Sequence, residues 1–120
     1  MDESPVSGIS ASHATASVRS THERMAVTVG GEVDLAFAER GLSIVRMAAA
    51  ENKPVDVDLS GVTLFGAAGV SWLVSLYGAV EADVRVVAAT GHVRAMLELC
   101  GVPTSSSAWR AAAMDTAANG

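Results

Sequence analysis

The sequence has few of the residues on which several classes of protein depend. Its one cysteine, Cys100, excludes an internal disulfide and has no companions for a cysteine-based metal site. It has no run of Lys or Arg, and its formal net charge is −5, so it offers no basic surface for a nucleic-acid backbone. Acidic residues interrupt the most apolar stretches, which leaves no run long enough to cross a bilayer. These shortages predict a cytoplasmic protein that neither binds nucleic acid nor inserts into a membrane.

Residues that could carry out catalysis are also few. The histidines His13, His22 and His92 have no nucleophile or carboxylate at a motif spacing. Asp56 and Asp58 alternate along one predicted strand, and a solvated strand face is a simpler interpretation than a cation or acid–base site. No phosphate-binding loop with its lysine is present. The sequence therefore predicts a protein that is not an enzyme and uses no metal, cofactor or small-molecule substrate.

Apolar residues make up half of the sequence, while aromatic residues account for only 4%. This composition predicts one domain with a thin core of small side chains. Residues 1–13 are rich in Ser, Ala and Gly and are predicted to form a flexible tail. The domain is predicted to span 14–103, followed by a C-terminal segment, 104–120, in which 108–118 could be helical.

The hydrophobic pattern along 14–103 predicts an α/β fold. Period-two alternation indicates strands and helical spacing indicates helices. The predicted strands are 14–19, 25–29, 55–60 and 84–89, and the predicted helices are 37–50, 70–77 and 93–100. This order predicts a mixed sheet of four to five strands, with an antiparallel N-terminal hairpin followed by parallel strands. The acidic face of strand 55–60 predicts that the helices lie mainly on one face of the sheet.

Single residues refine these elements. Asp34 and Thr90 are predicted to cap the starts of two helices, and Gly101 suits the position that follows a helix. Gly41 lies inside a predicted helix, where it predicts the close approach of another element. Trp72 lies outside the apolar stripe of its helix, so it is either an anchor for a partner or packed under the C-terminal segment.

Four segments resemble the motifs of STAS domains, in the same order and with similar spacing. Gly31-Glu32-Val33-Asp34 is similar to their Gly-Glu-Leu-Asp, and the segment 57–62 is similar to their Leu-Asp-Leu-Ser-Gly-Val strand. The segment 65–70 falls on their Asp-Ser-Ser-Gly-Leu loop, and 93–102 resembles the Val-Arg-Arg-Val-Leu-Glu-Leu-Thr-Gly-Leu segment near their end. The resemblance covers roughly residues 14–103 and implies the STAS fold.

The resemblance implies a function close to that of bacterial anti-sigma factor antagonists. Such proteins bind an anti-sigma factor that is also a serine kinase, and this binding releases a sigma factor for transcription. Phosphorylation of a loop serine then breaks the complex, because it places negative charge in the contact surface. The partner-binding residues that the resemblance implies are Asp34, Thr63, Phe65, Gly66, Ala67, Ala68, Gly69, Ser71 and Trp72.

Ala67 occupies the position of the phosphorylated serine, so that switch cannot operate there. Gly66 replaces the usual aspartate and Ala68 the usual second serine or threonine. Three explanations remain open: an antagonist that always binds, a diverged STAS interaction module in a transporter or stress-signalling scaffold complex, or an engineered substitution. Ser71 is a conceivable substitute acceptor, and the simpler interpretation is a solvent-facing serine.

Overall fold

The computed structural model describes residues 7–11 and 13–119, and side chains as far as Met114. The chain forms five strands and five helices within these residues. The strands are β1 (Ser7–Ser10), β2 (Ala14–Ser20), β3 (Met25–Val33), β4 (Val55–Phe65) and β5 (Val84–Ala89). The helices are α1 (Leu35–Arg40), α2 (Leu42–Glu51), α3 (Ala67–Ala79), α4 (Gly91–Leu99) and α5 (Ser106–Asn119).

The strands form one mixed sheet in the order β1-β2-β3-β4-β5. β1, β2 and β3 pair antiparallel, whereas β3, β4 and β5 pair parallel. Along β2 every second side chain is buried and the others are exposed, because only one face of the sheet is covered. The predicted α/β class, mixed sheet and single covered face are confirmed.

The core is built mostly from small side chains, as the composition predicts. Valine and alanine supply most of its buried positions, and a smaller set of large side chains is also fully buried. The largest are Tyr77, Phe37, Phe65 and Met25. A core of this kind has little spare volume. Each aromatic side chain in it removes a large apolar area from water on folding.

The N-terminal prediction is wrong for residues 7–10. Instead of belonging to a flexible tail, Ser7–Ser10 pair with β2, and Ile9 lies opposite Ala16. The physical reason is that β2 would otherwise expose a row of unpaired backbone groups, and Ile9 adds a partly buried side chain packed against the core. Residues 1–6 and 12, also assigned to the tail, lie outside the described residues.

The helix predicted for 37–50 is instead two helices that meet at Gly41. The indole Nε1 of Trp72 donates a hydrogen bond to the Gly41 carbonyl at 3.0 Å. A Cβ atom on Gly41 would lie 2.6 Å from that nitrogen, so the close approach predicted at this glycine is confirmed. The Gly41 carbonyl also accepts the Ile44 and Val45 amides, at 3.1 and 3.2 Å, so Gly41 caps the start of α2 as well as the end of α1.

The predicted caps are confirmed. The carboxylate of Asp34 accepts a hydrogen bond from the Phe37 amide at 3.0 Å, at the start of α1. The hydroxyl of Thr90 accepts one from the Val93 amide at 3.2 Å, at the start of α4. Gly101 has a φ of 69° after α4, a left-handed conformation that glycine adopts without steric cost.

The C-terminal segment is docked on the sheet and on α3. The buried hydroxyl of Ser106 accepts a hydrogen bond from the Val84 amide at 2.8 Å. The guanidinium of Arg110 donates to the Tyr77 carbonyl at 2.8 Å and also to the Val80 carbonyl, at the end of α3. The helix expected at 108–118 therefore begins earlier, at Ser106, because its first turn is held by these bonds.

Asp56 lies in an ion pair rather than on a freely solvated face. Arg24 donates to both of its carboxylate oxygens, at 2.8 and 2.9 Å, and Arg85 approaches at 3.4 Å. The hydrogen bond from Arg24 lowers the pKa of Asp56 more than any other contact does, and the arginine charges lower it further. The carboxylate therefore stabilises the fold above its unfolded-state pKa, and this contribution is lost as the pH falls through the lower folded-state pKa.

We expect Asp56→Asn to make stability depend less on pH in the acid range. Urea unfolding midpoints measured between about pH 5 and about pH 2 should fall less steeply in the variant than in the wild type. The exposed Glu39→Gln is the control for the removal of one carboxylate. An equal slope for the wild type and Asp56→Asn would contradict the role of the Arg24 pair.

Candidate functional site

The chain leaves β3 and β4 at the same edge of the sheet. These strands are parallel neighbours, and Val33 and Phe65, their last residues, lie opposite each other. Asp34 follows β3 directly, and Gly66 and Ala67 follow β4. Because the carboxyl ends of parallel strands meet at one edge, two segments far apart in sequence are brought together there.

The first turn of α3 is built without a capping side chain. Gly66 is its N-cap, with extended φ and ψ of −100° and −159°, and its carbonyl accepts the Val70 amide at 3.1 Å. A Cβ atom on Gly66 would meet no atom within 4 Å, so the fold leaves room for a side chain here. The missing side chain at Gly66 is therefore a property of the sequence and not a steric requirement.

Six of the predicted partner-binding residues are exposed or half-buried at this edge. They are Asp34, Thr63, Gly66, Ala67, Ala68 and Ser71, and we call them the α3 N-terminal surface. Ala67 and Ser71 are four residues apart on α3, so they lie on the same side of the helix. These six residues have small side chains, and Asp34 is the only charged residue among them.

The other three predicted partner-binding residues are buried and therefore do not present a contact surface. Phe65 is 0% and Trp72 2% exposed, and Gly69 is buried as well. A Cβ on Gly69 would lie 2.8 Å from the ring of Phe65, so the ring packs directly on the first turn of α3. Phe65 and Gly69 thus support the surface from beneath.

Trp72 needs a further correction, because both interpretations of it from the sequence are wrong. Its ring packs edge-to-face on Phe37, with centroids 5.3 Å apart, beneath α1. The place under the C-terminal segment is taken by Tyr77, which packs against Trp109 with centroids 6.0 Å apart. The sequence signal for the true location was Gly41, whose missing side chain makes room for the indole.

The comparisons with known proteins identify the family. A family model described as "Mlab, STAS domain" matches residues 16–104. The chain belongs to the STAS domain family. A crystal structure of an anti-sigma factor antagonist from Mycobacterium paratuberculosis matches 78% of this STAS domain chain and 83% of its own, with 27% sequence identity and a TM-score of 0.68. A comparison with curated proteins finds no match.

One residue beside the α3 N-terminal surface was not predicted from the sequence as part of the site. His92, in the first turn of α4, accepts a hydrogen bond at Nε2 from the backbone amide of Phe65 at 3.3 Å. Leu35, near the same edge and 65% exposed, was also missed, and Leu64, within the 62–69 loop that the resemblance implies as part of the surface, is 47% exposed. Leu35 follows Asp34, the first residue after β3, and Leu64 precedes Phe65, the last residue of β4.

Within residues 7–11 and 13–119, no group of three or more His, Cys, Asp or Glu side chains could hold a metal ion. In the same ranges no helix is both long and apolar enough to span a membrane.

The contact between Phe65 and Gly69 leads to a stability prediction. We expect Gly69→Ala to lower the free energy of unfolding by about 1–2 kcal/mol, because the added methyl group overlaps a buried ring that cannot move away freely. Gly78→Ala is the matched control in the same helix, where the nearest atom is a Trp109 ring carbon 4.0 Å away. There the better helix propensity should add roughly 0.5–1 kcal/mol.

Urea denaturation followed by far-ultraviolet circular dichroism measures both variants. The two substitutions should shift the midpoint in opposite directions. A gain in stability at both glycines would show that the first turn of α3 is not packed tightly on the Phe65 ring.

Proposed function

We propose that this STAS domain is an anti-sigma factor antagonist that binds an anti-sigma factor of the serine kinase type. The observation that carries the proposal is the match, over most of both chains, to a protein described as an anti-sigma factor antagonist. A role in releasing a sigma factor implies work in the cytoplasm and binding without a catalysed reaction. The site supports this, because it presents a surface for contact and the residues on it form no catalytic arrangement.

We infer that the partner contacts the α3 N-terminal surface. Ala67 is exposed at its centre, and Thr63 and Ser71 are exposed beside it. Leu35 and Leu64 add exposed apolar area near the same edge. Exposed apolar side chains next to small residues suit a protein partner, because the buried centre of a protein–protein interface is apolar.

We further propose that this antagonist is not released by phosphorylation at position 67. The methyl group of Ala67 offers no oxygen for a phosphoryl group, and neither Gly66 nor Ala68 carries a hydroxyl. The complex would then be controlled by the amounts of the two proteins rather than by covalent modification.

The absence of a hydroxyl at position 67 also favours a second function. A STAS interaction module in a transporter or a stress-signalling scaffold complex would need no covalent switch, since a permanent assembly is not released. Such a module would co-purify with a membrane or scaffold complex and would not bind anti-sigma factors.

The test uses the full chain and the anti-sigma kinases encoded in the same genome. Isothermal titration calorimetry should detect a complex with one of them. Incubation with that kinase and γ-labelled ATP, followed by mass spectrometry, should show no label on the STAS domain. Ala67→Ser is the matched control and should accept label at position 67, since the site is exposed.

Each failure has its own meaning. Binding to none of the kinases would contradict the antagonist function and favour the second one. Binding together with label on Ser71 of the wild type would leave the antagonist function in place and contradict the absence of a switch.

A further inference from the structure

β4 continues beyond the point where β5 stops pairing with it. The last pair between them joins Leu59 to Ala89, yet β4 extends to Phe65. The last residue of β4 finds its acceptor elsewhere: the Phe65 amide donates to Nε2 of His92 at 3.3 Å. An imidazole from α4 therefore provides a hydrogen bond beyond the end of the β4–β5 ladder.

The backbone around His92 is itself well fixed. Thr90 caps α4 through its hydroxyl, which accepts the Val93 amide at 3.2 Å, and its carbonyl accepts the Arg94 amide at 3.0 Å. Val93 is 0% exposed in the core. His92 lies between these anchors, so its imidazole extends from a rigid first turn rather than from a loose loop.

Phe65 connects His92 to the α3 N-terminal surface. Its backbone immediately precedes Gly66, the N-cap of α3, and its buried ring packs on Gly69 in the first turn. Ala67 lies between these two contacts in sequence. A shift of the Phe65 backbone must therefore change the position or angle of the turn that presents Ala67, because close-packed groups cannot absorb it.

We propose that His92 is a positioning residue for the α3 N-terminal surface. Its imidazole fixes the Phe65 backbone, and Phe65 in turn holds the first turn of α3 in the orientation that the partner binds. The proposal rests on the proposed antagonist function for the identity of the partner, and on the contacts above for the positioning itself. His92 acts through Phe65 and does not need to touch the partner.

The test compares three variants of the full chain. His92→Ala removes the acceptor, whereas His92→Gln supplies a carbonyl oxygen at about the reach of Nε2. His22→Ala is the control, since His22 is an exposed histidine in the turn between β2 and β3. Amide hydrogen exchange at Phe65, the amide chemical shifts of Ala67 and Ala68, and affinity for the anti-sigma kinase are measured for each.

We expect His92→Ala to speed exchange of the Phe65 amide and to weaken partner binding, each by about tenfold, as the loss of one hydrogen bond would. The Ala67 and Ala68 amide signals should shift. His92→Gln should restore most of the exchange protection, the signals and the affinity, and His22→Ala should change none of them. Rescue by glutamine separates a positioning role from a general loss of stability.

The outcomes are distinguishable. Unchanged Phe65 exchange and unchanged Ala67 signals in His92→Ala would overturn the proposal, whether or not the partner is found. Changed signals with unaltered affinity would overturn the link to binding. A wild type that binds no anti-sigma kinase would overturn the antagonist function, and the exchange and chemical-shift measurements would still decide whether His92 positions the turn.

Discussion

Replacing Trp72 by alanine is expected to lower the free energy of unfolding by about 3–5 kcal/mol, the largest stability effect among the substitutions considered. The indole is 2% exposed, and it packs edge-to-face on Phe37. Its Nε1 also satisfies the buried carbonyl of Gly41. The variant therefore creates a cavity and removes one of the hydrogen bonds that this carbonyl accepts, in a domain whose total stability is of the order of 5–15 kcal/mol.

One further variant separates the ring packing of Trp72 from its hydrogen bond, and another is a control. Trp72→Phe keeps most of the ring packing and loses the donor, so it should cost less than Trp72→Ala, about 1–3 kcal/mol. Trp109→Ala is the control for removing a tryptophan, and it should cost about 1–2 kcal/mol because that ring is only half-buried. Urea unfolding measures all three. A smaller loss at Trp72 than at Trp109 would contradict the structural role given to Trp72.

The second large effect is on binding rather than on stability. Ala67→Glu is expected to weaken the complex with the anti-sigma kinase by roughly a hundredfold, which corresponds to about 2.8 kcal/mol. The reason is that the variant places a desolvated negative charge at the centre of the proposed contact surface. The fold should not suffer, because Ala67 is exposed and an acidic residue in the first turn of a helix is favourable by about 0.3–1 kcal/mol.

The matched control for this variant is Ala113→Glu, the same substitution at an exposed position of α5. It changes the net charge equally and should leave the affinity unchanged. Titration calorimetry measures binding, and thermal unfolding confirms that both variants are folded. If Ala67→Glu binds as tightly as the control does, the partner does not contact the α3 N-terminal surface.

The central strands could be predicted from the sequence because their alternation follows from burial of one face. The extension of β4 from residue 60 to Phe65 could not, because alternation fails there. Gly30 and Gly61 are paired next to irregularities in the β3–β4 register, and Ser60 and Gly61 are both exposed. Backbone pairing continues through such irregularities even where the side chains give no signal.

The division of the predicted helix at Gly41 illustrates a second kind of limit. Its apolar spacing fits one continuous helix, and the indole that packs on Gly41, where α1 and α2 meet, lies 31 residues further along the chain. The glycine predicted that something approaches, but only the assembled fold shows that Trp72 does so. Short-range patterns cannot choose between the possible partners of a buried donor.

The site shows the same contrast. The places of Asp34 and Ala67 after two neighbouring strands could be predicted, because each belongs to a local motif at the end of a strand. His92 could not be found in this way, because 27 residues separate it from Phe65 and its role depends on β5 ending before β4 does. Relative strand lengths are a property of the folded sheet.

The attachment of α5 has a practical consequence for binding experiments. Arg110 contacts carbonyls at the far end of α3 from Ala67, and a helix of 13 residues is about 20 Å long. Met114, one helical turn further along α5, is 72% exposed. A fluorophore or surface tether attached there would be carried on a short rigid arm, with the α3 N-terminal surface left free.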